Sequence, residues 1–197
     1  IFKARIMNIK NSFVASEDNN FKDVILKDNR AKIVLENYEL NIEYENGSIK
    51  FYDKYGNEIE PIVKESRITF KDEPYNEHVI DLALYNENYV FMTRIKSNKG
   101  WMNFNLIVDE NEDIKFMNLK GEPIDLVRAP SWGFEGRERF ASNRGYIWSR
   151  SIPMLKDTIF LGYGPDTYAL YFPQDDYIEK LRVTGRTNLI VDKPHNY

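Results

Sequence analysis

The chain has 197 residues, of which 42% are hydrophobic and 29% are charged, a balance typical of globular rather than disordered proteins. It has no cysteine, which excludes disulfides, thiolate metal sites and thiol nucleophiles, and it has no apolar run of roughly 18 residues that would span a membrane. The net charge of -4 disfavours nonspecific binding to nucleic acid, so no nucleic-acid partner is expected.

Alternating apolar and polar residues predict short strands from residue 20 to about residue 127. Asn46-Gly47 predicts a two-residue hairpin turn, because both positions tolerate positive φ. The clearest of the other predicted strands cover Lys32–Tyr44, Arg67–Phe70, His78–Leu84, Tyr89–Ile95 and Met102–Val108. Repeated short strands separated by turn residues favour an antiparallel sandwich or a barrel-like module.

Two stretches of this β region resemble each other at an offset of 65 residues. Ile49-Lys50-Phe51 with Gly56 is repeated as Ile114-Lys115-Phe116 with Gly121. Two copies of a strand–turn–strand unit would explain the repeat, and so would the general similarity of β-hairpins. The period is too long and the copies too few for a solenoid.

No catalytic constellation is visible in the β region. We expect His78 to be a strand histidine that faces solvent or makes a satisfied hydrogen bond, because it has no metal-ligating partner at ligand spacing. The 28 aromatic residues of the chain are mostly needed for a core. Exposed ones on a sandwich face would nevertheless suit stacking against sugar rings, which leaves a non-catalytic carbohydrate-binding or structural cell-surface domain as the alternative function.

Residues 128–197 differ from the preceding part in charge. They hold seven of the eleven arginines, with ten basic and eight acidic residues, whereas residues 1–127 hold 17 basic and 23 acidic residues. Arginine binds phosphate or carboxylate in a bidentate way, where lysine offers a point charge. Either the surface composition simply fluctuates, or an acidic scaffold is followed by a segment that handles anions.

The same segment predicts helices instead of strands. Ser142-Asn143 is predicted to cap a helix, and Pro153 to kink or end it. Asp166 is predicted to cap a short helix through Phe172, and a further helix is predicted over Asp175–Val183 before Gly185. The fold class is therefore α+β, with a mainly β module at 1–127 and a smaller helical segment at 128–197.

Neither a nucleotide nor a metal is expected as a cofactor. Gly162 and Gly164 form neither a GxGxxG nor a Walker pattern, and no buried strand precedes them as a phosphate loop requires. His195 has only Asp192 nearby and no second histidine except the distant His78.

Four motifs in the last quarter of the chain occur in a recognisable order. They are Arg144-Gly145-Tyr146-Ile147-Trp148, Ile152-Pro153-Met154-Leu155, Leu161-Gly162-Tyr163-Gly164-Pro165-Asp166-Thr167-Tyr168 and Asp192-Lys193-Pro194-His195-Asn196-Tyr197. The series resembles the O-antigen ligase and polymerase family, bacterial membrane proteins with one large loop outside the cytoplasmic membrane. The resemblance covers roughly residues 143–197. Residues 1 to about 130 do not match the usual loop and look like an inserted β module.

The resemblance implies transfer of a glycan from a polyprenyl-diphosphate carrier to a sugar hydroxyl, without a metal or a nucleotide. Arg144 matches the family's loop arginine and is the candidate for stabilising the leaving diphosphate, and His195 matches its loop histidine and is the candidate general base. Arg150, Arg182 and Arg186 are weaker candidates for substrate binding, supported by the local excess of arginine. The alternatives are that Arg144 pairs with Glu138 or Asp157 and that His195 satisfies a loop carbonyl.

The resemblance also places this segment on the extracytoplasmic side of a bacterial cytoplasmic membrane. We expect the chain to be a fragment, since it begins at Ile1 and stops at Tyr197, and both ends would lead into membrane helices of the parent protein. Those helices, the lipid-linked glycan and the acceptor glycan are the expected partners. The isolated fragment is expected to be inactive, because the lipid-diphosphate site needs the missing helices.

Overall fold

The structure is a computed structural model that describes residues 21–97, 100–158 and 167–193. In these ranges the strands are β1 (Phe21–Lys27), β2 (Arg30–Leu35), β3 (Glu39–Glu45), β4 (Ser48–Tyr52), β5 (Pro61–Lys64), β6 (Arg67–Phe70), β7 (Val79–Tyr85), β8 (Asn88–Ser97), β9 (Gly100–Val108), β10 (Ile114–Met117) and β11 (Pro123–Ile124). The helices are α1 (Phe140–Thr158), α2 (Tyr168–Tyr171) and α3 (Tyr177–Thr184). The predicted α+β class, mainly β with a smaller helical part, is confirmed.

The chain divides into two compact units. The β unit contains the described residues up to Leu126 together with Gly185–Asn188, and the helical unit contains Val127–Thr184 and the described residues from Leu189 onward.

The β unit consists of two antiparallel sheets. One has the order β1-β2-β3-β4, and the other runs β11-β10-β9-β8-β7-β6-β5, so neighbours along the chain are neighbours in each sheet. Asn46 and Gly47 join β3 to β4 with φ values of 49° and 77°, as the sequence predicts for this turn. Short hairpin connections of this kind explain why both sheets are simple meanders.

The internal repeat corresponds to two loops with the same hydrogen bonds. In one, the side chain of Asp53 accepts bonds from the backbone amides of Tyr55 and Asn57. In the other, Asn118 accepts bonds from Lys120 and Glu122 in the same way. The glycine of each loop, Gly56 or Gly121, has φ near 85°, a conformation that side chains disfavour. The repeat is therefore one type of hairpin loop used twice.

Aromatic rings join the inner faces of the two sheets. Ring centroids lie 5.1 Å apart for Phe51 and Phe70, and Tyr44 contacts Phe91 at 6.5 Å. Along β3 the buried positions alternate with partly exposed ones, which is the period that the sequence shows. Two sheets packed through their apolar faces form a sandwich, and each fully buried aromatic or aliphatic side chain contributes about 1.5–3 kcal/mol to its stability.

Two features of α1 differ from the sequence prediction: the predicted cap at Ser142-Asn143 and the predicted kink or end at Pro153. Ser142 and Asn143 have φ values of 60° and 70° and belong to a left-handed stretch with Ala141, so they do not have the extended geometry of an N-cap. Helix α1 also continues past Pro153 to Thr158. Pro153 has no N–H for the carbonyl of Ser149, and the backbone amide of Trp132 donates to that carbonyl instead, at 2.9 Å.

Helix α3 begins two residues later than predicted, at Tyr177, and ends at Thr184 before Gly185, whose φ is 74°. The residues that form the core of the helical unit come from α1, α3 and the segments that follow α2 and α3: they are Tyr146, Ile147, Phe172, Val183 and Val191.

Candidate functional site

The start of α1 is held by the backbone of the preceding loop. The amide of Tyr146 donates to the carbonyl of Glu138 at 2.7 Å. A Cβ on Gly145 would lie 2.4 Å from the carbonyl oxygen of Arg137, which is closer than any ordinary contact. Glycine is therefore required at position 145, and this close approach fixes the backbone beside Arg144.

Arg144 is half-buried and, within the ranges that the structure describes, its side chain has no ion pair or hydrogen bond. Glu138, one of the two alternative partners, instead lies 3.0 Å from the guanidinium of Arg182. The side chain of Asp157, the other alternative, lies outside the described residues. Among the described residues, the guanidinium donors of Arg144 are therefore unpaired.

Arg150 is a buried arginine with a buried partner. Its Nε donates to Asp176 at 2.9 Å, its Nη1 donates to the hydroxyl of Ser149, and its guanidinium lies 5.0 Å from the centre of the Tyr146 ring. Burial raises the pKa of the Asp176 carboxyl, and the charge of Arg150 offsets part of that rise. These contacts give Arg150 a structural role, and its assignment to substrate binding stays a prediction.

Arg182 belongs to the same group of charges. It makes a two-pronged ion pair with Glu179, with its Nη2 2.6 Å from Oε2, and the same nitrogen lies 3.0 Å from Glu138. Arg150 also reaches Glu179, at 3.5 Å, so one carboxylate joins both arginines. Arg139 donates to the backbone carbonyl of Arg182 at 2.8 Å. The fold therefore brings together two arginines that the sequence indicated, Arg150 and Arg182, and both form ion pairs with carboxylates. The assignment of Arg182 to substrate binding stays a prediction.

Like Arg150 of α1, Lys180 of α3 is a buried cation. Its ammonium donates to the backbone carbonyls of Gln174 and Leu189 at 2.6 and 2.7 Å, and to the Gln174 side chain at 3.2 Å. Burial lowers its pKa to about 8. The ammonium thus joins α3 to the segments on both sides of it, which is a structural task.

The remaining predicted site residues lie elsewhere. Arg186 belongs to the β unit, where its backbone forms an isolated parallel bridge with Asn103 of β9. His195 lies outside the described residues, as do Gly162, Gly164 and the predicted cap Asp166. Their predicted roles stay predictions.

Trp148, from the ligase-type motif, packs with two phenylalanines of the helical unit. Its ring centroid lies 5.7 Å from that of Phe134 and 6.3 Å from that of Phe140. These contacts join α1 to the loop before it, so Trp148 helps to shape the segment around Arg144.

A polar cavity of about 600 Å³ in the β unit was not predicted from the sequence. Tyr38 lies in its wall, and the hydroxyl of Tyr38 is 2.7 Å from Nε2 of His78, whose side chain is 1% exposed. Burial lowers the pKa of His78 to about 4, so the ring is neutral at neutral pH. The satisfied hydrogen bond expected for His78 is confirmed. His78 immediately precedes β7 and lies two residues before the buried Ile80, a spacing that places both on one face of an extended chain.

A second cavity, of about 460 Å³, lies along the outer face of the four-stranded sheet. Its charged residues already pair across the strands, with Arg30 2.7 Å from Glu43 and Lys32 3.1 Å from Glu39. These exposed pairs leave little net charge for a ligand.

Comparison of the chain with protein-family models, with curated proteins and with solved structures found no match in any of the three. Among the described residues, no group of three or more histidine and carboxylate side chains is arranged to hold a metal ion. No helix within those ranges has the length and apolarity needed to cross a membrane.

Proposed function

We propose that residues 128–197 are the loop segment of a bacterial membrane glycosyltransferase of the O-antigen ligase and polymerase type. In this proposal the parent protein transfers or polymerises glycans from a polyprenyl-diphosphate carrier onto a sugar hydroxyl, outside the cytoplasmic membrane. The support is the ordered motif series from Arg144 to His195 and the geometry around Arg144.

The observation that carries the proposal is the contrast between Arg144 and three other arginines of the helical unit. Arg139, Arg150 and Arg182 each donate to a carboxylate or a carbonyl of the helical unit. Arg144 has no such partner among the described residues, although it is half-buried beside a tightly constrained glycine. A partly desolvated guanidinium with free donors is suited to an anion such as a diphosphate.

The proposed reaction needs two groups at the reacting atoms. The oxygen of the acceptor hydroxyl attacks the anomeric carbon of the donor, and the bond from that carbon to the diphosphate oxygen breaks, leaving its electron pair on the lipid diphosphate. Arg144 stabilises the charge that develops there. His195 takes the proton of the acceptor hydroxyl, since an imidazole titrates near neutral pH.

Arg150 and Arg182 enter the proposal as supports of the site. Their ion pairs with Asp176, Glu179 and Glu138 tie α1 to α3 and to the loop before α1. Arg150, Arg182 and Arg186 remain the weaker candidates for binding of the glycan or its carrier.

The test uses the complete protein that contains this chain, reconstituted in liposomes with its polyprenyl-diphosphate-linked glycan and an acceptor. Arg144→Ala is expected to lower the rate of glycan transfer about 100-fold or more, as does loss of a group that stabilises developing charge. Arg144→Lys should retain part of the rate, and His195→Ala should lower the rate as well.

Arg67→Ala is the matched control, because it removes from the β unit an exposed arginine whose partner among the described residues is Asp81. It should leave the transfer rate unchanged. Wild-type transfer by both Arg144→Ala and His195→Ala would overturn the assignment of the site.

A further inference from the structure

The cavity beside His78 has hydrogen-bonding groups on several sides. Tyr38 comes from the link between β2 and β3, Glu73, Asn76 and Glu77 come from the loop before β7, and Lys96 comes from the end of β8. The three loop residues are exposed, and Tyr38 and Lys96 are half-buried. A volume of about 600 Å³ is in the range of sites that hold one small ligand or part of a chain.

The hydrogen bonds of His78 determine which of its ring nitrogens carries the proton. The backbone amide of Lys96 donates to Nδ1, so that nitrogen is an acceptor. In a neutral imidazole the proton is then on Nε2, which donates to the Tyr38 hydroxyl at 2.7 Å. Tyr38 therefore accepts from His78, and its own proton has no acceptor among the described residues.

The Tyr38 hydroxyl is held in place before any ligand arrives. Its ring stacks on His78 with centroids 5.7 Å apart and meets the edge of Tyr75 at 5.3 Å. Tyr75 is buried, and its hydroxyl donates to the carbonyl of Glu39 in β3. Burial raises the pKa of Tyr38 to about 12, so the hydroxyl keeps its proton at neutral pH. Because the donor is already rigid, little conformational entropy is lost when a ligand binds to it.

An aromatic surface lies next to the cavity. The ammonium of Lys96 is 5.1 Å from the ring centre of Trp101, its cross-strand partner on β9, and Trp101 is 45% exposed. The cavity thus combines a fixed hydroxyl donor, an amide and two carboxylates with a neighbouring exposed indole. Sugars present hydroxyls that both donate and accept, together with apolar ring faces that pack on aromatic rings.

We propose that this cavity binds a neutral oligosaccharide, with the Tyr38 hydroxyl donating to a sugar oxygen and Trp101 packing against a sugar ring. Among the described residues that line the cavity, the two carboxylates of Glu73 and Glu77 outnumber the ammonium of Lys96, which disfavours phosphate or diphosphate as the ligand. The site lies within the β unit and requires no catalysis by the helical unit.

The experiment titrates the 197-residue chain with uncharged hexasaccharides of glucose, galactose, mannose and N-acetylglucosamine, followed by NMR of the Trp101 indole and by calorimetry. At least one of these probes should bind with a dissociation constant below about 10 mM. Tyr38→Phe should weaken that binding about fivefold, the loss of one neutral hydrogen bond. Trp101→Ala alone should weaken the binding more than Tyr38→Phe does.

Two variants serve as matched controls. Tyr55→Phe removes the hydroxyl of a tyrosine that is 77% exposed in the loop after β4, and Trp132→Ala removes an exposed indole from the helical unit. Both should bind as the wild type does. The proposal is overturned if no hexasaccharide binds at about 10 mM, if Tyr38→Phe and Tyr55→Phe bind equally, or if inorganic diphosphate displaces the sugar from this cavity. Glycan transfer by the complete protein is a separate readout, so either proposal can fail alone.

Discussion

Acidification should destabilise the β unit through His78. Its pKa is about 4 in the folded chain, against 6.5 for a histidine in water, because the ring is buried between Tyr38 and the backbone of Lys96. The folded-state pKa is the lower one, so the unfolded chain takes up the proton first as the pH falls. The stabilisation is complete above about pH 6.5 and is lost as the pH falls through about 4.

The size of the effect follows from the difference between the two pKa values. Each pKa unit corresponds to about 1.4 kcal/mol, so the whole transition of His78 removes about 3 kcal/mol from the free energy of unfolding. Between about pH 7 and pH 4.5 the loss is about 2.5 kcal/mol. Such a loss is a large part of the stability of a domain of this size.

The assay is urea denaturation at these two pH values, followed through methyl NMR signals of Ile95 and Leu106, which are buried in β8 and β9. His78→Asn removes the titrating ring but keeps an oxygen for the amide of Lys96, and it should reduce the pH dependence by about 2.5 kcal/mol. His195→Asn, at the only other histidine of the chain, is the matched control and should retain the wild-type pH dependence. Equal pH dependence in the wild type and His78→Asn would show that protonation of His78 does not control the stability of the β unit.

Three further substitutions test the helical unit by its free energy of unfolding. Gly145→Ala should cost about 1–3 kcal/mol, because the new Cβ meets the carbonyl of Arg137, and a wild-type urea midpoint would contradict this contact. Arg150→Ala should cost about 3–5 kcal/mol, since it leaves Asp176 buried without its cation; an effect below about 1 kcal/mol in urea denaturation would show that the pair is not buried. Lys180→Met should cost about 2–4 kcal/mol, as its backbone acceptors lose their donor, and thermal unfolding with no loss of stability would contradict that coordination.

The β unit was largely predictable because its signals are local. A turn such as Asn46-Gly47 specifies a hairpin through its own backbone preferences, and alternation specifies which face of a strand is buried. These two signals are almost sufficient to predict a meander, since each strand pairs with its neighbour in the chain. Even the 65-residue repeat corresponds to one local loop type, centred on Asp53 and Asn118.

The helical unit was less predictable because distant partners determine its backbone. Pro153 is tolerated inside α1 since Trp132, twenty-one residues earlier, satisfies the carbonyl that the proline leaves without a donor. Ser142 has the composition of a cap but lies in a left-handed stretch, where the close approach of Gly145 to Arg137 constrains the chain. Neither of these contacts can be predicted from the helix propensities of the neighbouring residues.

The candidate site shows the same limit. An excess of arginine was visible in the sequence, but which arginines are paired depends on the packing of α1 against α3. The pairing of His78 with Tyr38 joins residues forty positions apart, so composition gave no sign of it.

The most direct test of the account is the initial rate at which the complete, reconstituted protein releases polyprenyl diphosphate from its lipid-linked glycan in the presence of acceptor. Release is expected from the wild type and from the control Arg67→Ala, with a fall of about 100-fold or more in Arg144→Ala. No release by the wild type would contradict the proposed reaction, and release by Arg144→Ala at the wild-type rate would contradict the proposed role of its guanidinium.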